Sequence, residues 1–260
     1  MALAMDKLIR SQLGELRWAP VLQRVRAFAG GAAVVDSTRV RLVWEPHRVV
    51  GSYAVPREDV LTELLDAGPV APADSHPPVL TPAVPFGVHT VPGTAWDFGP
   101  ADGRQVIKGA GFTPQDPDVD DYVILDWRAF DEWREEDQVV HSHPHDPLKR
   151  IDCLTSDRHV VVTVDGETLA DTRRAVLLLE TGLQRRWYVP RDDIRMDLLE
   201  PSPTSTSCAY KGDASYWSFR SGERRIEDVA WSYEHPLHDA VPVTGMLCFY
   251  DDRVQIDVQA

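Results

Sequence analysis

Lys211 is the residue with the most chemistry gathered around it. It sits in Tyr210-Lys211-Gly212, with Tyr216-Trp217 and Trp231-x-Tyr233 downstream and Tyr188 and Arg191 upstream. An ammonium brings three donors and a full charge, and a guanidinium adds a second, planar cation. Gly212 permits a turn or a close approach by a ligand. Tyr188, Tyr210, Tyr216, Trp231 and Tyr233 could wall an aromatic pocket around these groups. Such a set suits a small ligand that is anionic or carries a carbonyl, neutralised by Lys211 and Arg191 and sandwiched by the rings. Read as structure alone, Lys211 caps a turn, Arg191 pairs with Asp193 or Glu180, and the rings are core.

Other chemistry-bearing groups lie elsewhere. In extended chain His141, His143 and His145 would point to one face, and Asp146 adds an oxygen donor. These are ligand types that zinc or nickel would accept. However, Pro144 and Pro147 bend the segment and the spacing matches no zinc signature, so the plain alternative is a segment held by hydrogen bonds. No other cofactor is indicated. Glu135-Glu136-Asp137 could serve as acid/base equipment or form a solvated face of a helix over residues 130–140. Trp127, Phe130 and Trp133, at i, i+3 and i+6, would pack from a helix onto a neighbouring domain. Cys208 precedes the lysine motif with no histidine tied to it, and Cys248 between Leu247 and Phe249 reads as a small buried hydrophobe. The acidic stretch 115–121 lacks EF-hand spacing and its glycine.

The elements that must position Lys211 are written twice. Residues 25–45 read over residues 160–180 without a gap, aligning Gly31/Gly166, Asp36/Asp171, Arg39/Arg174, Leu42/Leu177 and Glu45/Glu180. After a one-residue slip, Pro56-Arg57-Glu58-Asp59 lies over Pro190-Arg191-Asp192-Asp193, and Trp96-x-Phe98 matches Trp217-x-Phe219. A repeat of this length predicts duplicated domains. Opposite Tyr210-Lys211-Gly212 the first copy has His89-Thr90-Val91, so the lysine and glycine belong to the second copy alone. A group kept in one copy is not there merely to hold up the fold.

Within the second copy, the β-branched run 159–164 and the Asp165-Gly166 turn predict a hairpin. Residues 174–180 and 187–189 read as further strands. Pro190 followed by acids predicts a helix start, with Ile194 and Leu198 on one face and Pro201 and Pro203 ending it. The expected fold is mainly β, with one short helix per domain. It comprises two homologous antiparallel β-rich domains from an internal duplication, plus a short N-terminal helix carrying Leu8, Ile9, Leu13 and Leu16. The divisions are an N-terminal extension 1–20, a degenerate repeat 21–130, a His/acid-rich linker 131–151 and an intact repeat 152–260. Residues 68–85, rich in proline and without periodicity, read as an extended loop.

The 260 residues suffice for two hydrophobic cores. The net charge of −14, from 41 acids against 27 bases, repels polyanions and argues against nucleic acid or an anionic membrane as partner. No apolar run approaches the roughly 20 residues of a membrane span. The first residues lack the apolar core and cleavage site of a signal peptide, and three scattered cysteines fit a reducing compartment, so a cytoplasmic location is expected.

With these residues laid out, the chain resembles the bacterial domain-of-unknown-function 427 family, in its tandem two-copy form. The likeness is carried by Ala170-Asp171 with Arg174, Glu180-Thr181-Gly182, Tyr188 with Pro190-Arg191, and Leu198-Leu199-Glu200-Pro201. It continues in Cys208-x-Tyr210-Lys211-Gly212, Tyr216-Trp217, and Ala230-Trp231-x-Tyr233 with Pro236. The linker adds Trp133 with Glu135-Glu136-Asp137, and His143-Pro144-x-Asp146-Pro147. The resemblance implies a small β-rich domain and brings a nucleotidyltransferase label with it. The sequence itself shows neither a glycine-rich phosphate loop nor an Asp-x-Asp metal motif at the head of a strand. The resemblance therefore names a fold family and no reaction.

Three functional readings follow. The first is a module that binds a small, anionic metabolite in the Lys211 pocket. The second is an enzyme acting there on a small metabolite or nucleotide. The third is a protein-interaction unit that docks through the first copy and its proline-rich loop.

Overall fold

The structure, a computed structural model, describes residues 2–100 and 105–259. The chain divides into two compact units at Pro147/Leu148. Both are mainly β and antiparallel.

The first unit opens with a helix, Met5–Ser11. Its strands are β1 (Arg17–Pro20), β2 (Val25–Ala29), β3 (Ala32–Ser37), β4 (Arg41–Trp44), β5 (Ser52–Pro56) and β6 (Leu64–Val70). They continue with β7 (Gly93–Phe98), β8 (Ile107–Pro114), β9 (Tyr122–Leu125), β10 (Glu132–Glu135) and β11 (Gln138–Val140). One sheet runs β1-β4-β5-β9-β8-β7-β6 and a smaller one β11-β10-β2-β3.

The second unit comprises β12 (Ile151–Thr155), β13 (His159–Val164), β14 (Glu167–Thr172), β15 (Val176–Glu180) and β16 (Arg186–Val189). These are followed by β17 (Leu199–Cys208), β18 (Gly212–Ser221), β19 (Arg224–Ser232), β20 (Leu247–Phe249) and β21 (Gln255–Gln259). Its large sheet runs β12-β15-β16-β20-β19-β18-β17, the same order as in the first unit, beside a small sheet β14-β13-β21.

The hairpin that opens each unit turns on two consecutive residues of positive φ. These are Gly30-Gly31 (58° and 82°) and Asp165-Gly166 (48° and 85°). Such a turn matches the right-handed twist of the strands it joins. Just beyond it the units share a polar clamp. Asp59 accepts from Ser37 Oγ at 2.6 Å and from Arg39, as Asp193 accepts from Thr172 and Arg174. The repeated arginines and aspartates therefore pin a short turn onto the hairpin.

Period-2 alternation divides the second unit's large sheet between two cores. Val189, Ala230, Leu247 and Phe249 pack with Val162, Val164 and Leu169 of the small sheet. Their sequence neighbours Tyr188, Trp231 and Cys248 face the other way, joined by Tyr216, Tyr233 and the buried Ala240 and Val243 of a 3-10 segment, His238–Val243.

Several expectations change in detail. The helix after Pro190 is reduced to two single 3-10 turns, Arg191–Asp193 and Met196–Leu198. The small sheet takes the backbone instead: Ile194 bridges to Ala170, and Arg195 N donates to Leu169 O. Pro201 and Pro203 lie inside β17, an edge strand whose ladder slips between Pro201 and Ser205, where a missing N–H is tolerated. The helix expected over residues 130–140 is the hairpin β10–β11, turned at Glu136 (φ 48°) and paired with β2. Residues 17–20, read as part of a helical extension, form β1 on the edge of the large sheet.

Candidate functional site

One cross-strand row builds the floor of a cavity in the second unit. Tyr188 pairs with Cys248, Cys248 with Trp231, and Trp231 with Tyr216, so four neighbouring strands each present one side chain on the same face. Around this row Leu178, Glu180, Leu183, Gln184, Arg186, Lys211, Tyr233 and Tyr250 complete a cavity of about 450 Å³. The rings lock one another: Trp231 Nε1 donates to Tyr188 Oη at 3.1 Å, and the Tyr250 ring lies 4.4 Å from that of Trp231. Tyr216 Oη is engaged by Thr206 Oγ1 at 3.0 Å.

Glu180, at the end of β15, is the one acid in this lining. Lys211 occupies one of its oxygens and Lys149 the other, the latter at 2.9 Å. Burial works to raise the Glu180 carboxyl, but its hydrogen bonds and charge contacts with the two lysines outweigh burial and hold it below the usual carboxylate range. Gly212, at φ 90°, makes the turn that delivers Lys211, and Leu237 N closes on Lys211 O at 3.1 Å.

What remains for a visitor is a surplus of donors. The Tyr188 hydroxyl receives the Trp231 N–H, and among the described residues its own proton reaches no acceptor. Tyr233, 5 % exposed, makes no hydrogen bond through its hydroxyl among the described residues. Burial pushes both phenols well above their ordinary values, so both keep their protons. Arg186 lies over the Trp231 ring at 5.4 Å and uses one edge on Asp251 at 3.2 Å. With both oxygens of the one acid occupied, the cavity offers O–H and N–H groups to an acceptor-rich ligand.

Residues 152–260 match a family model described as a domain of unknown function, DUF427. The second unit belongs to that family. No curated protein matches the chain. The DUF427 domain thus contains every residue of the cavity, and the family description assigns it no reaction.

Of the residues singled out from sequence, Lys211, Tyr188, Tyr216, Trp231 and Tyr233 meet in the cavity of the DUF427 domain. Tyr210, Gly212 and Arg191 do not line it. Tyr210 lies under Lys149, whose Nζ is 5.6 Å from its ring, and so backs the ion pair from behind. Arg191 donates to Gly245 O at 2.7 Å, pairs with Glu234 and lies 4.8 Å over Trp217, as Arg57 lies over Trp96 in the first unit. It pairs with neither Asp193 nor Glu180. Arg186 and Tyr250 escaped the sequence reading, although each stands two residues from a cavity residue on its own strand or just beyond it (Tyr188 and Cys248) and so shares its face.

Among the described residues no group of three or more His, Cys, Asp or Glu is arranged to hold a metal ion. Ser142 holds φ 69°, which interrupts the extended run on which one shared face of His141, His143 and His145 depended. His143 Nδ1 lies 2.8 Å from Pro144 O, and His145 Nδ1 lies 2.9 Å from Glu135. Burial acts to raise Glu135 also, but its hydrogen bonds from His145 and Tyr53 lower it overall. Trp127 and Trp133 stack at 4.9 Å in the first unit's own core. Burial pushes the Cys153 and Cys248 thiols up, away from thiolate chemistry. A second hollow of about 360 Å³, between Asp197–Glu200 and Arg220–Gly222, is lined by side chains of an exposed hairpin end and gathers no buried polar group.

Proposed function

We propose that the DUF427 domain binds a small anionic metabolite in the aromatic cavity beneath Lys211. The observation that carries this reading is the donor surplus: two phenol protons and a guanidinium face a space whose single carboxylate is already bound by two lysines. An anion would give these groups strong, charge-assisted hydrogen bonds. In this reading Lys211 holds Glu180 and sets the local charge, Arg186 and Tyr233 meet the anionic group, and the rings exclude water. The first unit is a divergent copy of this domain, a reading supported by its identical strand order. Three free cysteines favour the cytoplasm.

An enzyme at the same cavity, of the nucleotidyltransferase kind or otherwise, is the alternative reading. It would need a base or nucleophile, whereas Glu180 is held ionised and the phenols protonated. A docking role for the first copy is the third reading; its proline-rich loop is held by Arg128 on Pro82 O and by Arg48 on Pro85 O, and most of its residues are exposed.

Native mass spectrometry of the gently purified chain tests the proposal, with Tyr233→Phe as the comparison because it removes one donor and keeps the ring. A co-purifying anion retained by the wild type and weakened in the variant is the expected result. A bare wild-type chain that also takes up no small carboxylate or phosphate at millimolar concentration would sink the reading.

A further inference from the structure

The first unit shows what the corresponding place on its own sheet accommodates. Phe112 pairs with Ala95 and Ile124 as Trp231 pairs with Tyr216 and Cys248, and Ala54 pairs with Ile124 as Tyr188 pairs with Cys248. Two ring positions of the cavity are therefore alanines here, and the space over Phe112 is taken by the chain itself. The segment between β6 and β7, residues 71–92, folds back across the sheet. It is tied down by Arg48, which donates to the carbonyls of Pro85, Phe86 and Val88, and by Leu80 N donating to His47 O.

The group it places there is a flat heteroaromatic ring. His89 lies on Phe112 with centroids 3.6 Å apart and planes 15° apart, and Phe86 meets it edge-on at 5.2 Å. His89 Nδ1 lies 3.0 Å from Glu45, the acid aligned with Glu180, and the two side chains are 4 % and 2 % exposed. In the second unit no such segment exists, because Cys208 pairs directly with Gly212 across a tight turn. In the second unit Lys211 meets the aligned acid Glu180 in place of His89, and Trp231, the counterpart of Phe112, lines the cavity.

From this we infer that the ligand of the second unit is a flat-ringed anion: an aromatic or heteroaromatic ring set against Trp231, with its charged group toward Tyr233 and Arg186. The first unit, filled by its own His89, has no vacancy for the same molecule. This rests on the anion-binding reading above and adds the ring to it. Tyr216, Trp231 and Tyr250 all line the cavity, and a planar ligand can stack on or meet such rings edge-on where a puckered one cannot.

Calorimetric titration of the full chain with indole-3-carboxylate, cyclohexanecarboxylate and inorganic phosphate separates the two levels. The expected result is one site per chain for the aromatic acid, with the saturated acid binding roughly three- to tenfold more weakly for want of stacking. Trp231→Leu should erase most of that preference. Equal affinity for the two carboxylates, or binding of phosphate alone, overturns the ring and leaves the anion site standing. No binding by any of the three overturns both. A second site that survives Trp231→Leu overturns the closed first unit. The comparison between probes on the wild type decides the ring even where the variant folds poorly.

Discussion

Glu180 and Lys211 form an ion pair with 6 % and 10 % of their side chains exposed, and Lys149 takes the second carboxylate oxygen. Removing one partner of a buried pair leaves an uncompensated charge in a poorly solvated place. Lys211→Met should therefore cost about 3 kcal/mol in urea unfolding. The double change Glu180→Gln with Lys211→Met should cost less than the lysine change alone. If the two costs simply add, the pair is not coupled.

The same carboxylate sets an acid limit. A group whose pKa is depressed on folding contributes stability that is complete above its unfolded value. That contribution is lost as pH falls through the folded one. Glu180 is held low, so the urea midpoint should be flat from pH 7 to about 5 and fall below about pH 4.3, the unfolded carboxylate range. Glu180→Gln should flatten that fall, and an unchanged acid limb in the variant would assign it to other groups.

Gly212 holds φ 90° with His235 O and Leu237 N only 3.4 Å from where a Cβ would sit. Gly212→Ala should destabilise the second unit by about 1–2 kcal/mol from the left-handed backbone alone. Because this turn delivers Lys211, ligand affinity should fall with it. Retained affinity would show that Lys211 can be placed without the turn.

Asp59 and Asp193 hold equivalent clamps in the two units. Asp59→Asn and Asp193→Asn should each cost about 1 kcal/mol, the usual size of a partly exposed hydrogen-bonded group. A large difference between the two, measured by thermal unfolding, would show that one clamp carries a further role.

His89→Ala would open a ring-sized slot over Phe112 and leave the Glu45 carboxylate with Arg48 as its only cationic side chain within 4 Å among the described residues. A loss of about 2–4 kcal/mol is expected from the cavity and the missing partner together. Added imidazole, at concentrations too low to alter the wild type, should restore part of the melting temperature. Failure of imidazole to do so would mean that the slot collapses.

The hairpin at residues 159–172 was readable because its β-branched run and the Asp165-Gly166 turn are local signals. The segment after Pro190 misled because proline plus acids does start helices. Here the backbone of Leu169 and Ala170 competes for the same hydrogen bonds, and that partner is distant in sequence. The Trp127, Phe130, Trp133 spacing fits a helix, yet the residues between serve a hairpin paired to β2. In the site, Tyr188, Tyr216, Trp231 and Tyr233 were legible as a set of aromatics around Lys211. Arg191 was misplaced because its motif is shared with Arg57, a sign of structure that the cavity does not use.

The hairpin at the sheet edge is closed by residues 209–211 in one unit and by residues 71–92 in the other. Loop closure grows with the logarithm of length, so joining β6 to β7 costs about 2 kcal/mol more chain entropy than joining β17 to β18. That entropy is spent before any contact of the longer segment repays it. On that ground the second unit should seal the edge of its large sheet sooner than the first.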